Sequence, residues 1–212
     1  MDLVRDIANP VADKYFSSFR MFDFYVGHSW AGGLFRGERN QESTSEAVNA
    51  WYGMWLLGKA LDDPAVESLG GTLLVNEVKA AQNYWQMSTK HSSFDSPFAD
   101  NKMTGILWGS GANYGTYFGA NPEFIHLIQM LPFTPISEYL LPYDYIKEQW
   151  PVLNATNQGS WEHLRLANEA IVDPSSVTLK AIRAGDIYDT FTRTEVIHWS
   201  ATRPIWGHTS DQ

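Results

Sequence analysis

The sequence predicts a mainly helical fold assembled from helix pairs and carrying one short β-hairpin. Two long segments, Ser45 to Leu61 and Ala65 to Gln86, repeat apolar residues at helical spacing, with Asp62-Asp63-Pro64 between them. Later segments return to that period, while Met103 to Phe118 alternates aromatic residues with glycines, as a hairpin does.

Ahead of the first long helix, Gly27-His28-Ser29-Trp30-Ala31-Gly32-Gly33 places small residues around a histidine and a tryptophan, and reads as a loop displaying both side chains. In Ser45 to Leu61, Val48, Trp51, Trp55 and Gly58 fall on one face and Ala47, Met54 and Leu61 on another, so burial on two sides is expected. Ala65 to Gln86 follows with Leu69, Leu73, Val78, Ala81 and Trp85, is interrupted by Gly70-Gly71, and completes an αα-hairpin. His91 to Asn101 is a polar loop before the β-hairpin. Pro122 to Leu131, opened by Asn121-Pro122, then Tyr143 to Leu153, Trp161 to Ile171 and Ser175 to Ala184, bring the expected helices to six. The tail from Arg203 to Gln212 is expected to fray. No fixed-period repeat or charge block marks a domain boundary.

Composition narrows the partners. A chain of 212 residues with 44% hydrophobic and 14% aromatic residues has the material for a substantial core. Its net charge of -9 disfavours nucleic acid and anionic membrane surfaces, which need basic patches. No run of about 18 apolar residues suggests a membrane span. Met1 to Asp6 lacks a basic segment followed by an apolar one, so no signal peptide is visible. With zero cysteines, disulfides and thiolate metal sites drop out. Nine tryptophans and ten tyrosines suit either core packing or the flat faces of sugar rings.

The chemistry concentrates in Asn40-Gln41-Glu42-Ser43-Thr44-Ser45-Glu46, where two carboxylates stand four residues apart at a helix start. Ser43 and Glu46 match a capping box, which gives Glu46 a structural explanation. Glu42 occupies the position before the cap, where an apolar residue would pack against Ala47, and a charged acid there points to chemistry. The positive helix end is expected to depress its pKa, which suits a carboxylate that stays ionised and takes a proton from water. Taken alone, an E-x-x-x-E pair also fits capping and surface charge, and His28 also fits a satisfied turn histidine.

The whole stretch from Phe22 to Gly53, FDFYVGHSWAGGLFRGERNQESTSEAVNAWYG, resembles the signature of glycoside hydrolase family 81, the endo-β-1,3-glucanases. Leu3 to Pro10, Ile106 to Phe118, Asn121 to His126 and Gln129 to Pro135 extend the resemblance in order. It implies a β-1,3-glucan substrate, no cofactor, an extracellular or cell-wall setting, and residues 1 to 212 as the C-terminal portion of an (α/α)6-barrel catalytic domain. Carried over, Glu42 is the general base of an inverting hydrolysis, with Glu46 in support. His28, Asn40 and Gln41 are candidates for sugar hydrogen bonds and Trp30, Tyr52 and Trp108 for stacking; Asn49 and Tyr114 complete the substrate-binding set. The general acid implied by the resemblance is an aspartate in an Asp-His-His-Phe-His stretch upstream of the GHSW segment, and this sequence contains no such stretch.

Alternative chemistries follow from the same residues. The chain is also compatible with a glucan-binding module without turnover, a Ser-His-Glu hydrolase using Ser29, His28 and Glu42, or a metal site from His28, Glu42, Glu46 and His91. Asp23, Asp95 and Asp100 are the acids that would replace the missing donor, and each sits among polar or turn-forming residues that explain it.

Overall fold

The computed structural model describes residues 1–35, 37–155, 161–183 and 192–203, and its architecture is mainly helical with two small antiparallel sheets. A short helix α1 (Asp2–Ala8) is followed by β1 (Phe22–Asp23) and β2 (His28–Ser29), which pair Phe22 with Ser29 and Asp23 with His28. The GHSW segment is therefore a paired strand and not an open loop. Next come β3 (Asn40–Gln41), α2 (Thr44–Leu61) and α3 (Pro64–Tyr84).

The α2–α3 turn obeys local rules residue by residue. Asp62 takes the left-handed conformation that ends α2, at φ 53°. Asp63 then caps α3, its Oδ1 accepting the N–H groups of Ala65 and Val66 at 3.1 Å each, and Pro64 occupies the first turn, where its missing donor costs nothing. The expected interruption at Gly70-Gly71 does not occur, because α3 runs straight through it. Those glycines serve packing instead. A Cβ on Gly70 would lie 2.6 Å from the Trp55 nitrogen, and one on Gly58 2.2 Å from the Glu67 nitrogen, so the two backbones cross without room for a side chain.

The β-hairpin is real, formed by β4 (Ile106–Trp108) and β5 (Gly111–Asn113). It is not a free insertion: β4 pairs with β3, Asn40 opposite Trp108 and Gln41 opposite Leu107, which brings the hairpin against the segment leading into Glu42. Beyond it lie α4 (Pro122–Leu127), α5 (Ser137–Leu140), α6 (Tyr143–Asn154), α7 (Glu162–Val172), α8 (Pro174–Arg183) and α9 (Arg193–Thr202). Helix α7 is the centre of this half, with every residue from His163 to Ile171 buried. One hydrophobic cluster joins Val48, Trp51 and Leu73 of the hairpin to Ile125, Ile146, Leu164 and Trp199 of the later helices. Helices α1, α5 and α9 were not expected from periodicity, and the tail after Arg203 lies outside the described residues.

Gly70→Ala is expected to destabilise the fold by about 1–3 kcal/mol or more through the backbone clash. Gly71→Ala, whose Cβ would meet only the Trp55 ring at 3.4 Å, is expected to be neutral or stabilising by up to about 1 kcal/mol. Urea unfolding of the two variants checks this, and equal effects would contradict the crossing geometry.

Candidate active site

Glu42 sits on the elbow where β3 gives way to α2, and serine chemistry shapes that elbow. The Ser43 hydroxyl caps α2 by accepting the Glu46 N–H at 3.4 Å, and donates to the Ile128 carbonyl at 3.0 Å. Ser45 donates to the carbonyls of Ile128 and Leu131. Gln41 bridges within the elbow, its Nε2 donating to the Ser43 carbonyl at 2.7 Å.

The Glu42 carboxylate is half-buried, and its Oε1 accepts the Tyr117 N–H at 2.8 Å. Tyr117 is carried by a turn in which Thr116 and Gly119 exchange hydrogen bonds, and its ring meets the edge of Trp108 at 6.0 Å. Oε2 has no hydrogen-bond partner among the described residues. Burial raises the Glu42 pKa, outweighing the Tyr117 N–H, and the nearby Glu46 charge raises it further. The depressed pKa expected from the helix end is thus corrected: Glu42 precedes the cap, and burial is the largest influence on its carboxylate.

Glu46 is exposed and the capping box is half formed, since Glu46 makes no return bond to the Ser43 N–H among the described residues. Freed of that duty, it lines a cleft of about 240 Å³ with Ser29, Trp30, Gln41 and Ala50.

The structure places the expected sugar contacts in different surroundings. His28 is fully buried, its ring against Trp30, Trp85 and Tyr84, and burial lowers its pKa, so it is a neutral core residue. Trp30 is 3% exposed and donates to Asp23 Oδ2 at 3.1 Å, so little of its ring reaches the cleft it lines with Glu46. Gln41 is buried in the elbow. Asn49 spends its amide on the Ser45 and Pro132 carbonyls at 2.9 and 3.1 Å and on the Thr134 hydroxyl at 2.7 Å. Tyr52 lines a different groove, of about 770 Å³, with Trp55, Leu74, Val78 and Tyr139. Asn40, Trp108 and Tyr114 remain beside Glu42 on the three-stranded sheet and the chain just after it, all partly exposed.

The competing chemistries lack geometry. His28 Nδ1 lies 2.8 Å from the Ser29 carbonyl, while the Ser29 hydroxyl donates to Glu77, so Ser29 and His28 form no nucleophile–base pair. No group of three or more metal-ligand side chains converges among the described residues. Asp23 is committed to Arg39 at 2.9 Å and to Trp30.

Sequence reasoning missed Glu77. It is fully buried on α3, where its Oε2 accepts the Ser29 N–H at 2.8 Å, the Ser29 hydroxyl at 2.5 Å and the Trp51 Nε1–H at 3.0 Å. A glutamate one turn after Leu73 and Leu74, inside an apolar helix stripe, was the available signal.

Residues 1–194 match the family model described as the glycosyl hydrolase family 81 C-terminal domain. The chain belongs to glycosyl hydrolase family 81. It is 38% identical over 185 residues to a glucan endo-1,3-beta-D-glucosidase of Arthroderma benhamiae, covering 82% of this chain and 20% of that one. It is 34% identical over 180 residues to glucan endo-1,3-beta-D-glucosidase 2 of Saccharomyces cerevisiae, covering 81% and 23%. A solved glycoside hydrolase family 81 structure from Clostridium thermocellum superposes with a TM-score of 0.78 at 28% identity, covering 93% of this chain and 28% of that one. This chain therefore spans about a fifth to a quarter of the length of these curated relatives.

Burial raises the Glu77 pKa from 4.5 to about 7, against the pull of its three donors. A carboxyl with a raised folded-state pKa contributes stability fully below pH 4.5 and loses it as pH rises through about 7. Glu77→Gln, which imitates the protonated form, is expected to be more stable than the parent at pH 8, with the gap closing near pH 4. Paired urea melts check it, and a gap independent of pH would refute the titration.

Proposed function

We propose that this chain carries the general base for inverting hydrolysis of internal β-1,3-glucosidic bonds in β-glucans, and that Glu42 is that base. The observation that carries the reading is the state of its carboxylate. One oxygen is held by the Tyr117 N–H and the other has no hydrogen-bond partner among the described residues, beside the exposed Tyr117 and the partly exposed Trp108. Raised basicity, a fixed orientation and a free lone pair are what a group needs to take a proton from water. Inversion requires the acid about 6.5 to 9.5 Å away, across a space that admits water. In the family pattern that acid belongs to the Asp-His-His-Phe-His stretch upstream of the GHSW segment.

Glu46 supports Glu42 by its charge and by orienting water or sugar hydroxyls, and Trp108, Tyr114 and Asn40 contact the substrate. The helix pairs form part of an (α/α)6 barrel, with residues 1 to 212 as the C-terminal portion of the catalytic domain. An extracellular or cell-wall setting fits a relative named as a primary septum glucan endo-1,3-beta-D-glucosidase in Schizosaccharomyces pombe. No described helix is long and apolar enough to cross a membrane. A neutral glucan is compatible with a net charge of -9.

Glu42→Gln, introduced in the full-length enzyme, is expected to lower kcat on linear β-1,3-glucan about 100- to 10,000-fold while oligosaccharide binding persists. Turnover retained at the parental rate would refute the assignment. Glu46→Gln removes a charge that raises the Glu42 pKa, so the acidic limb of kcat/KM should move to lower pH. With the capping box only half formed, its stability cost should stay below about 0.5 kcal/mol.

A further inference from the structure

We propose that Gln129 is the positioning residue of the base, fixing where the Glu42 carboxylate sits; the proposal rests on Glu42 acting as that base. Gln129 lies in the turn after α4, is 1% exposed, and stands 87 residues from Glu42. Every hydrogen-bonding site of its amide is used. Nε2 donates to the Glu42 carbonyl at 2.6 Å and to the Gly105 carbonyl at 3.3 Å. Oε1 accepts from the Thr44 N–H and the Thr44 hydroxyl, both at 2.9 Å.

The amide therefore stands in for a peptide group. It pairs with the backbone on both sides of Ser43, as a neighbouring strand would, and ties the same point to Gly105, one residue before β4. Gly105 and Tyr117 belong to the same hairpin region: Gly105 donates its N–H to the Asn113 carbonyl, and a Cβ at Gly105 would lie 2.1 Å from the Tyr114 carbonyl. Gln129 consequently holds the Glu42 backbone at a set distance from the hairpin whose Tyr117 N–H grips the Glu42 carboxylate. Neither bond alone fixes the side chain. Pairing of β3 with β4 brings the two anchors close, and Gln129 adds a second tie made at the Glu42 carbonyl itself.

A glutamine is needed because the site demands donors on one side and an acceptor on the other. Glutamate has no donor when ionised, methionine has neither, and asparagine is one methylene short.

The test records the Tyr117 amide proton by NMR across a pH titration of the full chain, alongside kcat and KM of the same variants in the full-length enzyme on linear β-1,3-glucan. In the parent, the Tyr117 resonance should follow ionisation of Glu42, and Glu42→Gln should abolish that response. Gln129→Met should retain its helical circular dichroism, lose at least about half of the Tyr117 response, and lower kcat about tenfold to a hundredfold with KM nearly unchanged. Gln129→Leu, which brings no charge and no titrating group into the buried site, is the second variant and should show the same diminished response. A Tyr117 response of parental size in a folded Gln129 variant overturns the proposal, whatever happens to hydrolysis. Parental turnover by Glu42→Gln would instead overturn the base assignment, and the NMR comparison still decides whether Gln129 positions this side chain.

Discussion

The hydrogen bonds between the Glu42–Ser45 elbow and the turn from Ile128 to Leu131 are the constraint on which the site depends. A helix leaves its first N–H groups and its last carbonyls without partners. Here two helix ends complete each other. The carbonyls after α4 accept the hydroxyls of Ser43 and Ser45, while Ser43 caps α2 with its remaining lone pair. Two segments more than eighty residues apart are thereby bonded through groups that would otherwise need water. Alternation of short hydroxyl residues at Ser43, Thr44 and Ser45 makes this possible, because longer side chains would separate the backbones.

Beneath the elbow lies a second polar layer that the sequence disguises. The GHSW segment looks like a display of functional groups, yet His28 and Trp30 face inward and pack on Trp85 and Asp23. Ser29 is held by Glu77, whose carboxylate also accepts from Trp51. A buried carboxylate with no cationic partner among the described residues is costly to ionise, and three donors on one oxygen offset only part of that cost. Its effect is to lock β2 onto the α2–α3 pair, which fixes the floor from which the elbow rises.

Local signals carried most of the fold into the sequence. Asp62-Asp63-Pro64 specifies both a helix end and a helix start, and the structure uses each residue in that role. The glycines of α3 misled because backbone permissiveness and close packing leave the same letter, and only the partner helix shows which applies. Helix α9 was legible in Thr192 to Glu195, a complete capping box, but its weak apolar periodicity hid it. Within the site, Glu42 stood out because it violates a staple rule, a conflict visible in one segment. Tertiary pairing was invisible by comparison: nothing local at Gln129 or Glu77 announces partners dozens of residues away.

The two neighbouring acids differ in environment for a physical reason. They are four residues apart, yet one is half-buried with an oxygen fixed by a backbone donor, and the other is exposed. Burial raises the proton affinity of the first, and the negative charge of the second raises it again. A base gains from both effects as long as it stays ionised at the working pH. The Tyr117 N–H opposes them, holding the carboxylate form against full neutralisation. Basicity at Glu42 is thus a balance among desolvation, a like charge and one backbone donor. Because the donor sits on the turn that follows the hairpin and the charge on α2, the balance holds only while that turn and the helix keep their relative position.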